Sequence, residues 1–105
     1  NVHRIAALYD LIATPLADKA IKPLGQWNHG MIVSKGRKVE HYLNGVKVLE
    51  YERGSKAFRD AVKLSKYLDW QDKGQFWGEA ETGRILLQDH SDSVVSYCNL
   101  KIKEL

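Results

Sequence analysis

The sequence predicts an all-β fold: an antiparallel β-sandwich with one short helix at about residues 56–68. Three observations predict it. Asn44-Gly45 lies between two β-compatible runs, and both residues tolerate the positive φ that a type I′ hairpin turn needs. Lys35-Gly36 supplies a second turn one strand earlier. Helical periodicity is confined to a single stretch, so there is no strand–helix–strand alternation of the kind that builds a parallel sheet.

Residues 4–13 form a short apolar run interrupted by Asp10, and periodicity alone allows strand or helix there. Pro15 limits the run, and residues 14–25 carry Pro15, Pro23 and Gly25, which is loop chemistry with one helical turn at 16–20. A strand follows at 26–34, with Trp27 and Asn28 at its start. The next strands are 37–43 and 46–51, completing a three-strand meander. Ser55 is a suitable helix N-cap. Ala57, Ala61, Leu64 and Leu68 recur at i, i+4, i+7 and i+11, with Phe58 and Val62 alongside, giving one apolar helical face. Residues 69–83 read as a long loop holding Trp70, Phe76 and Trp77, and a loop of that length in a small domain is functional or covers something. The stretch 83–90 and the run 94–105 give the last two strands, 85–88 and 95–103. About six strands in 105 residues make a thin sandwich, whereas all-β sandwiches run to roughly 200–250 residues as one domain. A partner sheet, from another part of the domain or another chain, is therefore expected.

Composition narrows the function classes. The chain of 105 residues is 44% hydrophobic and 28% charged, as a globular domain should be, with a net charge of +3. The lysines are scattered from Lys19 to Lys103 without a run of five, which argues against a nucleic-acid partner, since that binding requires a basic stripe. The single cysteine, Cys98, excludes an intrachain disulfide and a cysteine-rich zinc site. It is expected to be buried in its strand and unreactive, with no cationic neighbour in sequence. No apolar run approaches the roughly 18 residues of a helical membrane span, and no signal peptide is visible. The first residue is Asn1, not methionine, so a processed or fragmentary product is expected.

Several side chains could carry chemistry. His90 can move a proton either way near neutrality, although Asp89-His90-Ser91-Asp92 is equally good turn chemistry. Gln88 shares a strand face with Leu86 and His90 and could hydrogen-bond a ligand or satisfy a neighbouring strand. Asp10 is costly in an apolar run unless paired or placed at an open face, so it is either a catalytic or binding carboxylate or a structural partner. Tyr9 beside it is a candidate groove residue. His41 shares the side of Val39 and Leu43, where a histidine is more often a satisfied core residue than a ligand-binding one, and Glu40 and Tyr42 face the other way. Trp27, Trp70 and Trp77 could stack on the flat apolar face of a ligand ring. Sealing of the sandwich is the better reading for Trp27, and ligand contact suits Trp70 and Trp77 on their loop. A divalent cation could be held by His90, Asp89, His41 and Asp10, although nothing in the spacing demands one.

A wider pattern is carried by residues 25–28 (Gly-Gln-Trp-Asn), 39–48 (from Val39-Glu40-His41 through Asn44-Gly45), Ser65-Lys66, 85–90 and 99–105, in that order. Residues 7–12 fit a further segment. In these the chain resembles the 3-keto-disaccharide hydrolase family, whose domains have the concanavalin A-like jelly roll. The resemblance covers the whole chain but only the C-terminal half of the family domain. It implies a periplasmic or cell-surface glycoside hydrolase or lyase acting on glucosides or disaccharides oxidised at C3. The same fold also serves non-catalytic lectin-like modules. The resemblance suggests Lys66 as a cation that neutralises an enolate or alkoxide, though a surface lysine at the end of a helix reads equally well. His90 and Asp10 complete the candidate catalytic set, and Tyr9, Gln88, His41, Trp70 and Trp77 the candidate substrate contacts. Two positions depart from the family: Ser91 replaces a usual glycine, and Cys98 a usual arginine.

Overall fold

The computed structural model describes residues 5–15, 17–70, 76–88 and 94–105, apart from the side chain of Trp70. The expected meander forms. Strands β1 (Gly30–Lys35), β2 (Lys38–Leu43) and β3 (Val46–Glu52) make one antiparallel sheet in the order β1-β2-β3. One helical turn, α1 (Ala17–Ala20), precedes it, and α2 (Lys56–Lys63) follows, leading into a 3₁₀ helix, Lys66–Trp70.

Turn chemistry sets the register. Asn44 and Gly45 both sit at positive φ, 50° and 82°, as the type I′ reading requires. Asn44 also works through its side chain. Its Oδ1 accepts the His29 amide at 2.8 Å, and its Nδ2 donates to the Ala20 carbonyl at 2.7 Å and to Asn28 Oδ1 at 2.9 Å. The hairpin turn is thereby tied to α1 and to the approach to β1, and the strand starts at Gly30 instead of residue 26.

Between His41 and Tyr42 the β2–β3 register shifts: His41 pairs with Leu49, Tyr42 with Lys47, and Val48 is the extra residue. This bulge explains why two successive residues, Val48 and Leu49, are both buried, which a regular strand with its period of two would forbid. Together with Leu43 and Ala17 they form the core, against which Ala6, Leu8, Ile12, Ala20 and Tyr51 pack. The opposite sheet face is charged. Glu50 lies between Lys47 at 2.7 Å and Lys38 at 2.9 Å, and the Tyr42 hydroxyl donates to Glu40.

The helix is shorter than its apolar pattern predicts, and its buried side differs. Phe58 and Val62 are the buried pair, while Leu64 is 92% and Leu68 45% exposed. Ser55 caps the start, its Oγ accepting the Phe58 amide at 3.2 Å, an interaction of about 1 kcal/mol. The stop is also polar. The Lys66 amide donates to Asp10 Oδ2 at 3.0 Å and the Tyr67 amide to Ser65 Oγ at 3.1 Å. Two amides that would continue the α-helical ladder are thus bonded elsewhere, and the chain continues as a 3₁₀ turn.

Four further expectations are corrected. Residues 4–13 are neither strand nor helix where described: Leu8 and Ile12 form an isolated bridge around a tight turn, with Asp10 at φ 65°. The strands expected at 85–88 and 95–103 are not formed, and the described residues make a mainly β structure with one three-stranded antiparallel sheet. Their apolar side chains face solvent, Leu86 at 84%, Val94 at 96% and Ile102 at 83% exposure. Alternation marks a sequence that can be a strand, but a strand also needs a neighbour for its backbone N–H and C=O groups, and among the described residues no strand pairs with these segments. Cys98 is accordingly exposed, not buried, and Trp27, expected to seal a sandwich, is 61% exposed.

Candidate functional site

The tight turn at residues 8–12 brings distant chemistry together. Leu8 and Ile12 point into the core, leaving Tyr9 half exposed. Asp10 caps the 3₁₀ helix through the Lys66 amide, and this contact, across 56 residues of sequence, sets Lys66 beside Tyr9. The Lys66 ammonium lies 4.7 Å from the Tyr9 ring centroid and 5.4 Å from that of Tyr67. A cation over two ring faces at an exposed site gains about 0.5–1 kcal/mol. The stronger consequence is geometric: the positive charge is held over two ring faces that come from distant parts of the chain.

Behind this surface a column of rings runs into the sheet. Tyr67 stacks on Trp77 at 4.1 Å, with the planes 13° apart. Trp77 and Phe58 are nearly parallel at 6.5 Å, as are Phe58 and Tyr51 at 5.9 Å. Tyr51 then meets the edge of His41 at 5.4 Å. His41 is 7% exposed and uses both ring nitrogens internally. Its Nδ1 lies 2.7 Å from the Ala6 carbonyl, which can only accept, so Nδ1 carries the proton. Nε2 of the neutral ring then accepts from the Tyr51 hydroxyl at 3.2 Å. Burial raises the Tyr51 pKa, which keeps that hydroxyl a donor.

The outer end of the column is fixed by the segment that carries Trp77. Glu79 receives both arms of Arg59, at 3.1 and 3.0 Å, and Arg37 at 3.5 Å. Its side chain is 9% exposed. The paired Arg59 guanidinium, and to a lesser degree Arg37, hold its pKa below the usual carboxylate value. Arg53 donates to the carbonyls on either side, Gly78 at 3.3 Å and Ala80 at 3.0 Å. Gly78, at φ 78°, lies so close to Phe58 that a Cβ there would sit 2.8 Å from Cζ. Arg59 also covers the Phe76 ring at 3.9 Å.

The eight expected site residues therefore divide. Tyr9, Asp10 and Lys66 converge, and Trp77 joins them through Tyr67. His41 marks the inner end of the column and is engaged by the protein itself. Gln88 is exposed, its backbone carbonyl accepting from the Tyr97 hydroxyl at 3.2 Å. Trp70 ends the 3₁₀ helix. His90, with Asp89, lies outside the described residues, so the cation site suggested for His90, Asp89, His41 and Asp10 cannot be assembled from them. Among the described residues no three histidine, cysteine, aspartate or glutamate side chains gather as a metal site would need. Among the described residues, no helix is long and apolar enough to cross a membrane.

Sequence reasoning passed over Tyr67, Glu79 and the three arginines. Tyr67 had a signal, being adjacent to Lys66, and the long loop at 69–83 was expected to cover something. It covers Phe58. Glu79 had none, because a glutamate in a polar loop reads as solvated.

A three-stranded meander, a packed helix and a ring column topped by a lysine define a mainly β protein. The comparison with protein families makes this specific. The 3-keto-alpha-glucoside-1,2-lyase-like domain matches residues 1–103, and the chain belongs to that family. Among solved structures it is similar to a protein of Parabacteroides distasonis described as a "putative glycosyl hydrolase", with 27% identity and a TM-score of 0.57. The match covers 64% of this chain and 30% of that one. No curated protein matches the chain.

Proposed function

We propose that this chain is part of a carbohydrate-active, glycoside hydrolase-like enzyme acting on glucosides or disaccharides oxidised at C3. Family membership over residues 1–103 is the observation that carries this reading. A C3 ketone acidifies the C2 proton. A base removes that proton, and the electron pair moves onto the C3 oxygen as an enolate. Collapse of the enolate forms the C1–C2 double bond and breaks the bond from C1 to the aglycone oxygen, which leaves with the pair and takes up a proton. Addition of water across the new double bond would complete a net hydrolysis.

In this scheme the Lys66 ammonium faces the enolate oxygen, a charge that exists only after proton removal, so its stabilisation acts on the rate rather than on substrate binding. Tyr9 and Tyr67, at the open end of the column, offer ring surface to the apolar C–H face of the sugar, and Trp77 backs Tyr67 from behind. His90 is assigned the proton acceptor on its chemistry. Asp10, with one oxygen on the Lys66 amide, orients the cation-bearing residue. The exposed apolar residues of 85–88 and 94–105 support a further part of the reading: the rest of the jelly roll, from the N-terminal half of the domain or another chain, pairs with them. Periplasmic or cell-surface location accompanies the proposal.

The test is product analysis with a 3-keto glucoside, with and without chelator. Aglycone release that falls at least 100-fold in Lys66→Met and His90→Ala supports the reading, and loss with chelator adds a metal. Binding of unmodified oligosaccharides without any release overturns it in favour of a lectin-like module.

A further inference from the structure

We propose that Glu79 is a positioning residue for the Lys66 platform, acting through Trp77 and Tyr67; this rests on the site reading above and deepens it. Glu79 touches none of the platform residues in the contacts described. It fixes the backbone that presents Trp77, two residues before it. The carboxylate is gripped by Arg59 in a two-bond fork and by Arg37, while Arg53 holds the carbonyls on both sides. With Gly78 seated on Phe58, the segment has no freedom to slide along the column. Trp77 is thus set at a fixed depth, and Tyr67, stacked 4.1 Å away and nearly parallel, takes its plane from it. Tyr67 is the residue after Lys66, and its ring is one of the two beneath the ammonium.

The forked pairing suits a positioning role better than a generic ion pair would. An exposed salt bridge contributes little to stability. Two parallel N–H···O bonds to a carboxylate that is 9% exposed fix orientation as well as distance. Glu79 is also tied to strand β2's leading turn through Arg37 and to α2 through Arg59, so the ring column is referenced to both elements. Releasing the carboxylate should let Trp77 tilt, and with it Tyr67 and the ammonium above it.

The test uses Glu79→Gln, which keeps the shape and removes the charge, in the full chain with Trp27→Phe and Trp70→Phe so that Trp77 is the sole tryptophan. The expected result is a red-shifted Trp77 emission, readier acrylamide quenching, and movement of the Tyr67 ring resonances toward their unstacked values, all measured on folded protein well below its denaturation midpoint. The milder Arg59→Lys variant should shift the same signals in the same direction by less. With a 3-keto glucoside, kcat should fall about 10-fold while KM changes less than about twofold, since misplacing a group that acts on the enolate costs rate and not binding. If either variant lowers the denaturation midpoint but leaves Trp77 emission and the Tyr67 resonances as in the parent, Glu79 is structural only and the proposal is overturned. If the parent itself shows no turnover, the functional reading fails, and the spectroscopic comparison still decides whether Glu79 sets the platform.

Discussion

Replacing Gly78 by alanine should destabilise the protein by about 2–4 kcal/mol, and the structure separates this into two parts. Gly78 sits at φ 78°, a left-handed conformation that costs an L-residue about 1 kcal/mol or somewhat more. The new Cβ would also stand 2.8 Å from Cζ and 3.3 Å from Cε1 of Phe58, which is 2% exposed and packed between Tyr51 and Trp77. An overpacked core contact of this kind costs about 1–3 kcal/mol. Gly25 is the internal control: its φ is 87°, and a Cβ there meets nothing within 4 Å, so Gly25→Ala should show the backbone cost alone. Urea denaturation followed by far-UV circular dichroism measures both. A double-mutant cycle with Phe58→Leu should recover part of the Gly78→Ala loss, because the smaller side chain removes the atoms that the Cβ would strike. Equal losses for Gly78→Ala and Gly25→Ala, or no recovery with Phe58→Leu, would refute the close approach on which the fixed depth of Trp77 depends.

Other outcomes follow from the same contacts. Asn44→Gly keeps the positive φ but loses three side-chain hydrogen bonds, and should cost about 2 kcal/mol in the same assay; Asn44→Asp, which retains the acceptor for the His29 amide but sets a carboxylate oxygen against the Ala20 carbonyl and Asn28 Oδ1, should cost at least as much. Glu50, hydrogen-bonded first to Lys47 and then to Lys38, should titrate at about 2 in a carboxyl NMR titration, and added salt should raise that value by screening both lysines. Glu79 has a folded-state pKa below its ordinary 4.5, so its contribution to stability is present above that value and is lost as the pH falls from there through the folded-state pKa. Glu79→Gln should flatten that part of the stability–pH curve, and an unchanged curve would show that the Arg59 fork carries no linked proton.

The meander was legible because every signal for it is local. Asn44-Gly45 and Gly36 dictate turns by backbone conformation alone, and the alternation on β2 assigned Val39, His41 and Leu43 to one face correctly. The placement of His41 among core residues was legible for the same reason. The helix end was not, because it depends on Asp10, 56 residues away, taking the Lys66 amide. The bulge at Val48 was hidden too, since Val48-Leu49 in sequence gives no sign that both are inward. The closing segments show the converse: 85–88 and 95–103 have strand-like composition, but a strand is a property of a pair, and pattern cannot supply the partner. At the candidate site, residue type found Tyr9, Asp10 and Trp77 separately and the family resemblance pointed to Lys66, but only the fold shows that Tyr9, Asp10 and Lys66 meet at one 3₁₀ turn.

The sheet itself argues for where a sugar could rest. On its charged face, Lys38, Lys47 and Glu50 are paired with one another and Tyr42 with Glu40, so a ligand would have to displace bonds already made. On the other face, Leu43, Val48 and Leu49 are filled in by α1 and the turn at residues 8–12. Two surfaces remain: an open cleft lined by Ile32, Ser34, Val39 and Tyr51, and the end of the ring column, where Tyr9 and Tyr67 lie beneath the Lys66 ammonium. That end is held from two directions, by Asp10 on the 3₁₀ helix and by the arginine-clamped Glu79 behind Trp77. Neither carboxylate need touch a substrate to matter. A loss at Asp10 should move the lysine along the surface, whereas a loss at Glu79 should tilt the ring beneath it. Parallel measurement of Tyr9 and Tyr67 ring resonances in Asp10→Asn and Glu79→Gln distinguishes the two: the first should perturb Tyr9 more, and the second Tyr67.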